Sequence, residues 1–203
     1  MSERDWDEAY RGGDLPWDSG KPDDALVDAV RRGLVRPGRT LDVGCGTGTN
    51  ALFLAEQGFD VLGTDVSPLA IEKARAKAGH RARFEVLDFL TADTPGGPFD
   101  LAFDRGCWHV FEEPERARFA ARVAAVLAPG GRWLSLIGST EGAARDVGPP
   151  RRSVRDIASA IEPVLEICEL RTIYFDLEGM APPKAWLVLA ARHEIPAQPS
   201  SRH

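Results

Sequence analysis

Apolar positions recur along the chain with two different periods. Leu26, Val30 and Leu34 fall four residues apart in PDDALVDAVRRGLV, a helical stripe that Asp23 or Asp24 can cap and that Gly33, Pro37 and Gly38 bring to an end. RTLDVG (39–44) is a short apolar strand, NALFLAEQG (50–58) a helix stopped at Gly58, and DVLGTD a second strand ending at Asp65. In SPLAIEKARAKAG, Ser67 stands at the N-cap, Pro68 at the first helical position and Gly79 just past the end. RFEVLD, FDLAFD and RWLSLIG read as further strands. Between the last two, EPERARFAARVAAVLAPGG reads as a helix with an Ala, Val and Leu face, closed by Pro-Gly-Gly. Strands alternating with helices predict an α/β fold: a doubly wound, mostly parallel sheet covered on both faces.

The pattern changes after Gly138. GPPRRSVRD is a turn-rich basic loop leading to a helix capped by Ser153, and LEICELRTIYFDLE and KAWLVLAARHE are two strand-like runs separated only by GMAPP. So short a link predicts an antiparallel hairpin rather than another crossover. The tail IPAQPSSRH is too polar and Pro-rich to add to a core and is expected to be disordered.

Composition narrows the possible functions. A chain of 203 residues, 43% hydrophobic, is long enough to bury one proper core. No run approaches the roughly 18 apolar residues of a membrane span, and MSERDWDEAY holds no apolar leader core, so a soluble, cytoplasmic protein without membrane contact is expected. Cys45, Cys107 and Cys168 form no C-x-x-C pair and an odd set, which fits neither a disulfide framework nor a zinc ribbon and points to a reducing compartment and no metal. A formal charge of −6 without a basic, aromatic-laced patch argues against nucleic acid as a partner, and a monomer or weak dimer is expected.

The chemistry begins at LDVGCGTGTN (41–50), where three glycines crowd a turn between a strand and a helix. Glycine lets backbone approach a ligand closely, and the helix start offers free N–H groups. The dinucleotide fingerprint G-x-G-x-x-G is incomplete, because Thr49 stands where its third glycine belongs. D-V-G-C-G-T-G instead resembles motif I of the class I S-adenosylmethionine (SAM) methyltransferases. The order of residues 39–138 follows that family, including VLAPGGRW before the fifth strand, and the terminal hairpin resembles its antiparallel seventh strand. The resemblance implies a Rossmann-like seven-stranded sheet, mostly parallel with an antiparallel C-terminal strand, and SAM as cofactor.

It also implies roles for individual residues. Gly44, Cys45 and Gly46 would lie along the methionine part and ribose, with Asn50 beside them, and Asp42 would orient the amino end. Asp65 would hold the ribose, Val66 and Phe89 would sandwich adenine, and Asp88 would meet its amino group. Cys45 is read as a small loop filler rather than a nucleophile.

W-D-E-A-Y ending at Tyr10, followed by P-W-D-S-G-K-P (16–22), resembles the entry segment of the thiopurine, thiol and halide methyltransferase group. By that resemblance residues 1–22 form a lid, with Tyr10 and Trp17 over the cofactor, before a SAM-binding domain (23–193) and a flexible tail (194–203). The other reading of Trp6, Tyr10 and Trp17 is a staple that fixes an N-terminal arm.

FDRGCWHVF (103–111) leaves the fourth strand where a methyl acceptor should sit, and its Asp-Arg-Gly resembles thiopurine methyltransferases. The Asn/Asp-Pro-Pro-Tyr motif of base and glutamine methylation is absent. Asp104, Arg105 and His109 are therefore the expected catalytic set, His109 as a base or as a structural residue. Arg151 and Arg152 are either an anion site or a solvated loop. The expected function is SAM-dependent methyl transfer (EC 2.1.1.-) to a small acceptor, a thiol or other soft nucleophile. The alternatives are an O- or N-methyltransferase, a nucleotide-dependent oxidoreductase, or a SAM-binding protein without catalysis.

Overall fold

Each turn of the chain is set by a few local groups. The computed structural model describes residues 6–12, 15–142, 148–175 and 181–192. Helix α1 (Trp6–Gly12) is followed by α2 (Asp24–Arg31), whose N-cap Asp23 accepts a hydrogen bond from the Ala25 N–H. Strand β1 (Arg39–Val43), α3 (Thr49–Glu56), β2 (Asp60–Asp65), α4 (Pro68–Ala78) and β3 (Arg83–Val86) then alternate as expected. Ser67 caps α4 through the Ala70 N–H, and Gly79 closes it at a positive φ of 59°.

Strand β4 (Phe99–Arg105), a short 3-10 turn (Trp108–Val110), α5 (Glu115–Val126), β5 (Leu127–Gly138), α6 (Val154–Ile161), β6 (Glu166–Tyr174) and β7 (Lys184–Ala191) complete the domain. Ser153 and Asp156 form a reciprocal capping box on α6. The helix expected to run to Pro-Gly-Gly stops earlier, at Val126, because Leu127 turns extended and pairs with Phe99. Residues 128–131 bulge out before Arg132 resumes pairing with Leu101. A side chain at Gly131 would stand 2.9 Å from the Phe99 carbonyl oxygen, so the bulge needs glycine there.

The seven strands lie in the order β3-β2-β1-β4-β5-β7-β6. All neighbouring pairs are parallel except those of β7, which is antiparallel to β5 and β6. The hairpin expected from GMAPP is thus present, although the strand expectation over residues 176–178 and that over 193–194 lie outside the described residues, as does the tail. One apolar layer packs α2, α3 and α4 on the sheet; the other packs α5 and α6. The link between β3 and β4 (87–98) forms no helix, and its Leu87, Phe89 and Leu90 cover the second face beside β1 and β2. Among the described residues no helix is long and apolar enough to cross a membrane.

Candidate functional site

The carboxyl ends of β1, β2 and β4 meet at the glycine turn. Gly44, Gly46 and Gly48 all have positive φ (68°, 55° and 81°), a conformation side chains resist. Space forbids side chains as well. A Cβ at residue 44 would stand 2.8 Å from the Cys107 sulfur, and one at residue 46 would stand 2.8 Å from the Tyr10 hydroxyl. The turn thus lies against β4's exit on one side and α1 on the other.

Asp65 ends β2 with both carboxylate oxygens engaged, accepting the Gly46 and Ser67 N–H groups at 2.9 Å each. Burial holds its carboxyl above the usual range, against these hydrogen bonds. Asp42, at 2% exposure on β1, differs: its Oδ2 has no hydrogen-bond partner among the described residues. Burial, followed by the Asp104 and Asp65 charges, pushes its carboxyl well above the ordinary range. Burial likewise raises the Cys45 and Cys107 thiols, so neither is an activated nucleophile.

The N-terminal arm covers this turn. Asp18 accepts from the Thr47 hydroxyl at 2.6 Å and from the Thr49 hydroxyl at 3.3 Å. Asp7 accepts from the Ser67 hydroxyl and from the Leu69 N–H, and Lys73 Nζ donates to the Tyr10 carbonyl at 2.6 Å. Tyr10 is buried, which raises its phenol pKa, and the Trp17 indole hydrogen-bonds it; Trp6 meets Trp17 edge-on with centroids 6.2 Å apart. Helix α1 had no counterpart in the sequence reading, because seven residues carry no full apolar period. A cavity of about 80 Å³ is left between arm and turn, lined by Tyr10, Trp17, Asp42, Gly46, Asn50 and Arg105 among others.

The acceptor-side residues are placed differently from expectation. Asp104 is fully buried and points between β4 and β5, accepting from the N–H groups of Cys107 (3.2 Å) and Trp108 (3.0 Å) and from Trp133 Nε1 (2.9 Å). It clamps the turn after β4 and does not line the cavity. His109, 4% exposed, accepts the Gly138 N–H on Nδ1 at 2.8 Å and packs edge-on to Phe175. That bond uses the lone pair of the neutral ring, which leaves Nε2 as the protonated nitrogen. Arg105 does reach the cavity, but its Nε donates to Asp23 at 3.0 Å and its guanidinium lies 4.5 Å over Phe175.

On the cofactor side, Asn50 accepts the Asp23 N–H at 2.9 Å, tying α3 to α2. Val66 is exposed, but Phe89 does not face it: its ring packs 4.9 Å from Phe119 because the β3–β4 link must cover the sheet without a helix. Asp88 accepts from the Leu90 N–H and the Thr91 hydroxyl, closing its own turn. Arg151 donates to the Ser139 and Thr140 carbonyls at the surface, and Arg152 donates to the His109 and Phe111 carbonyls and pairs with Glu112 at 2.8 Å, so both are tied to the fold.

A family model described as a methyltransferase domain matches residues 40–131, the stretch that builds β1 to β5 and the glycine turn. Over this stretch the chain matches a methyltransferase domain, and its fold is the Rossmann-like fold of known methyltransferases. Its relatives include a probable thiol methyltransferase 2 of Arabidopsis thaliana, 33% identical over 149 residues. That match covers 71% of this chain and 65% of the relative, slightly less than two thirds. A structure described under the conversion of a disulfide bond into a thioacetal group during echinomycin biosynthesis superposes with a TM-score of 0.84 at 29% identity, covering 95% of this chain and 92% of that one. The fold is also that of a Burkholderia thailandensis 1,6-didemethyltoxoflavin-N1-methyltransferase bound to S-adenosylhomocysteine (SAH), with a TM-score of 0.74, 21% identity and coverage of 94% and 86%. SAM is the cofactor of this methyltransferase family. The residues present fit it: a glycine cradle that any side chain would fill, and a buried carboxylate oxygen without a partner, suited to a ligand cation.

Proposed function

We propose that the protein transfers a methyl group from SAM to a small-molecule acceptor, a thiol or related soft nucleophile. The observation that carries this reading is the pocket between the glycine turn and an aromatic arm, with Asp42 Oδ2 unpartnered on its floor. The thiol chemistry is supported by the Arabidopsis relative and by the sulfur chemistry named for the echinomycin structure.

The glycine-turn backbone (44–46), Asp42 and Asp65 would hold SAM, with Val66 and Asp88 at the outer rim and Tyr10 and Trp17 above. Bound there, SAM supplies an electrophilic methyl group on a sulfonium. The chain's own part is alignment and exclusion of water. Trp6, Trp17 and Tyr10 form an apolar cover, and aromatic faces suit a cation. A thiol with a pKa near 8.5 ionises enough at neutral pH to need no protein base. His109, with its Nδ1 taken by Gly138, sets the wall behind Phe175, and Arg105 fixes the arm's return through Asp23 and the Trp17 carbonyl. Both act as positioning residues.

The arm is also the door. A cavity of about 80 Å³ is well below the roughly 300–1,000 Å³ of ligand clefts, so the arm residues that line it, such as Tyr10 and Trp17, shift to admit SAM. Hydrogen exchange should show this arm more protected with SAH than without; equal protection favours the staple reading. The reaction itself is tested by SAH release across thiols, halides, phenols and amines. Turnover is expected with thiols, and its absence with every thiol overturns the acceptor assignment. His109→Ala should slow thiol and halide acceptors alike; a loss confined to protonated acceptors would restore the base role.

A further inference from the structure

The cavity floor holds a chemical mismatch. Asp42 is 2% exposed, its Oδ2 has no hydrogen-bond partner among the described residues, and it lines the cavity beneath the arm. The titratable groups packed around it come from every neighbouring element. β2 contributes Asp65, β4 contributes Asp104, the glycine turn contributes Cys45, and the turn after β4 contributes Cys107. From the arm, Tyr10 and Asp18 line the same cavity. All of these are anionic or neutral. The cations that line this cavity are Arg105, ion-paired with Asp23 at 3.0 Å, and Lys21; among the described residues neither hydrogen-bonds Asp42 Oδ2. A lone carboxylate in such a place is costly, and a proton is the cheapest way to neutralise it.

We propose that Asp42 carries a proton in the cofactor-free protein and releases it when the cationic cofactor binds, so that cofactor binding is coupled to proton release. The inference rests on the reading that SAM occupies this pocket. Its basis is a thermodynamic cycle. A ligand cation beside Asp42 favours the ionised carboxylate, so the ligand binds more tightly to that form, and the proton leaves as it enters. The same coupling makes affinity rise with pH wherever free Asp42 is protonated. Asp104 does not line the pocket, and any proton it released would persist in Asp42→Asn, which separates the two carboxyls. SAM and SAH share an ammonium group, and only SAM has a sulfonium, so the two ligands also tell which cation Asp42 meets.

Calorimetry of SAM and SAH binding at pH 6.5, in phosphate and in imidazole, reads the protons directly, because the binding heat changes with buffer ionisation enthalpy in proportion to protons released. At this pH the ligand ammonium, with a pKa near 8, stays charged. Release of up to about one proton per ligand is expected with the natural sequence, and none with Asp42→Asn. Release with both ligands identifies the ammonium as the partner; release with SAM alone identifies the sulfonium. Binding heats independent of buffer overturn the proposal, as does release that persists in Asp42→Asn. No binding of either ligand removes the cofactor reading and the proposal with it. If Asp42→Asn does not fold, the natural sequence alone decides. Affinity rising with pH, by up to about tenfold per pH unit wherever free Asp42 is protonated, supports the coupling, and a profile flat over the whole pH range in which the protein is folded overturns it.

Discussion

Asp42 and Asp104 are the same residue type on adjacent strands, one register step apart, and both are buried at the carboxyl rim of the sheet. Asp104 is surrounded by donors: two backbone N–H groups and an indole. Asp42 Oδ2 has none. The first carboxylate completes the fold, while the second is left without a donor among the described residues, as the proposed cofactor site requires. What distinguishes a structural carboxylate from a binding one is the supply of donors, and that depends on neighbours distant in sequence, such as Trp133.

The largest expected effect tests Asp104's side of this contrast. Asp104→Ala strands three buried donors and should cost about 4 kcal/mol in urea unfolding, whereas Asp42→Asn should change stability by less than about 1 kcal/mol. Equal losses would break the comparison.

The next test uses pH. Burial raises the Asp104 carboxyl to about 6, above its unfolded value of about 3.9. A raised folded pKa means that the native state holds this proton more tightly. The group's contribution is therefore full below the unfolded value and lost as pH rises through about 6. The stability of the natural protein minus that of Asp104→Asn should fall by up to about 3 kcal/mol between pH 4 and 7. A difference that does not change with pH would mean that the surrounding donors offset the burial.

A smaller effect is expected at the glycine turn. Gly46→Ala places a methyl group against the Tyr10 hydroxyl in a backbone of positive φ, at a cost of about 2 kcal/mol and with loss of arm protection in hydrogen exchange. Tyr10→Phe added to it removes the clashing oxygen and should restore part of that protection. The smallest effect is Arg151→Ala. Among the described residues its guanidinium bonds to the Ser139, Thr140 and Gly142 carbonyls at the surface, so stability should move by no more than about 0.5 kcal/mol and SAH affinity not at all.

The sheet, its order of elements and its antiparallel hairpin were legible in the sequence because caps and periods are local signals: Asp23, Ser67 and Ser153 each mark a helix start. The glycine turn and Asp65 were legible for the same reason. The acceptor side was not. Whether Asp104 faces a cavity or a tryptophan depends on β5, and whether His109 keeps its lone pair depends on Gly138; both partners lie 29 residues further along the chain. That Phe89 packs against Phe119 was not legible, because nothing within its own segment shows that the β3–β4 link lacks a covering helix. Asp18, which holds the arm to Thr47 and Thr49, was missed altogether. Its signal was only a carboxylate in a segment read for its aromatic residues.

The position of β7 has a consequence for how the molecule is made. It follows β6 in the chain yet lies between β5 and β6, pairing with both. On the ribosome, therefore, β6 emerges with no neighbour to join, and β5 keeps an open edge until residues 184–191 arrive to bridge them. The rim built from β1, β2 and β4 is already synthesised by then, so the pocket's walls precede the closing of the sheet that supports them.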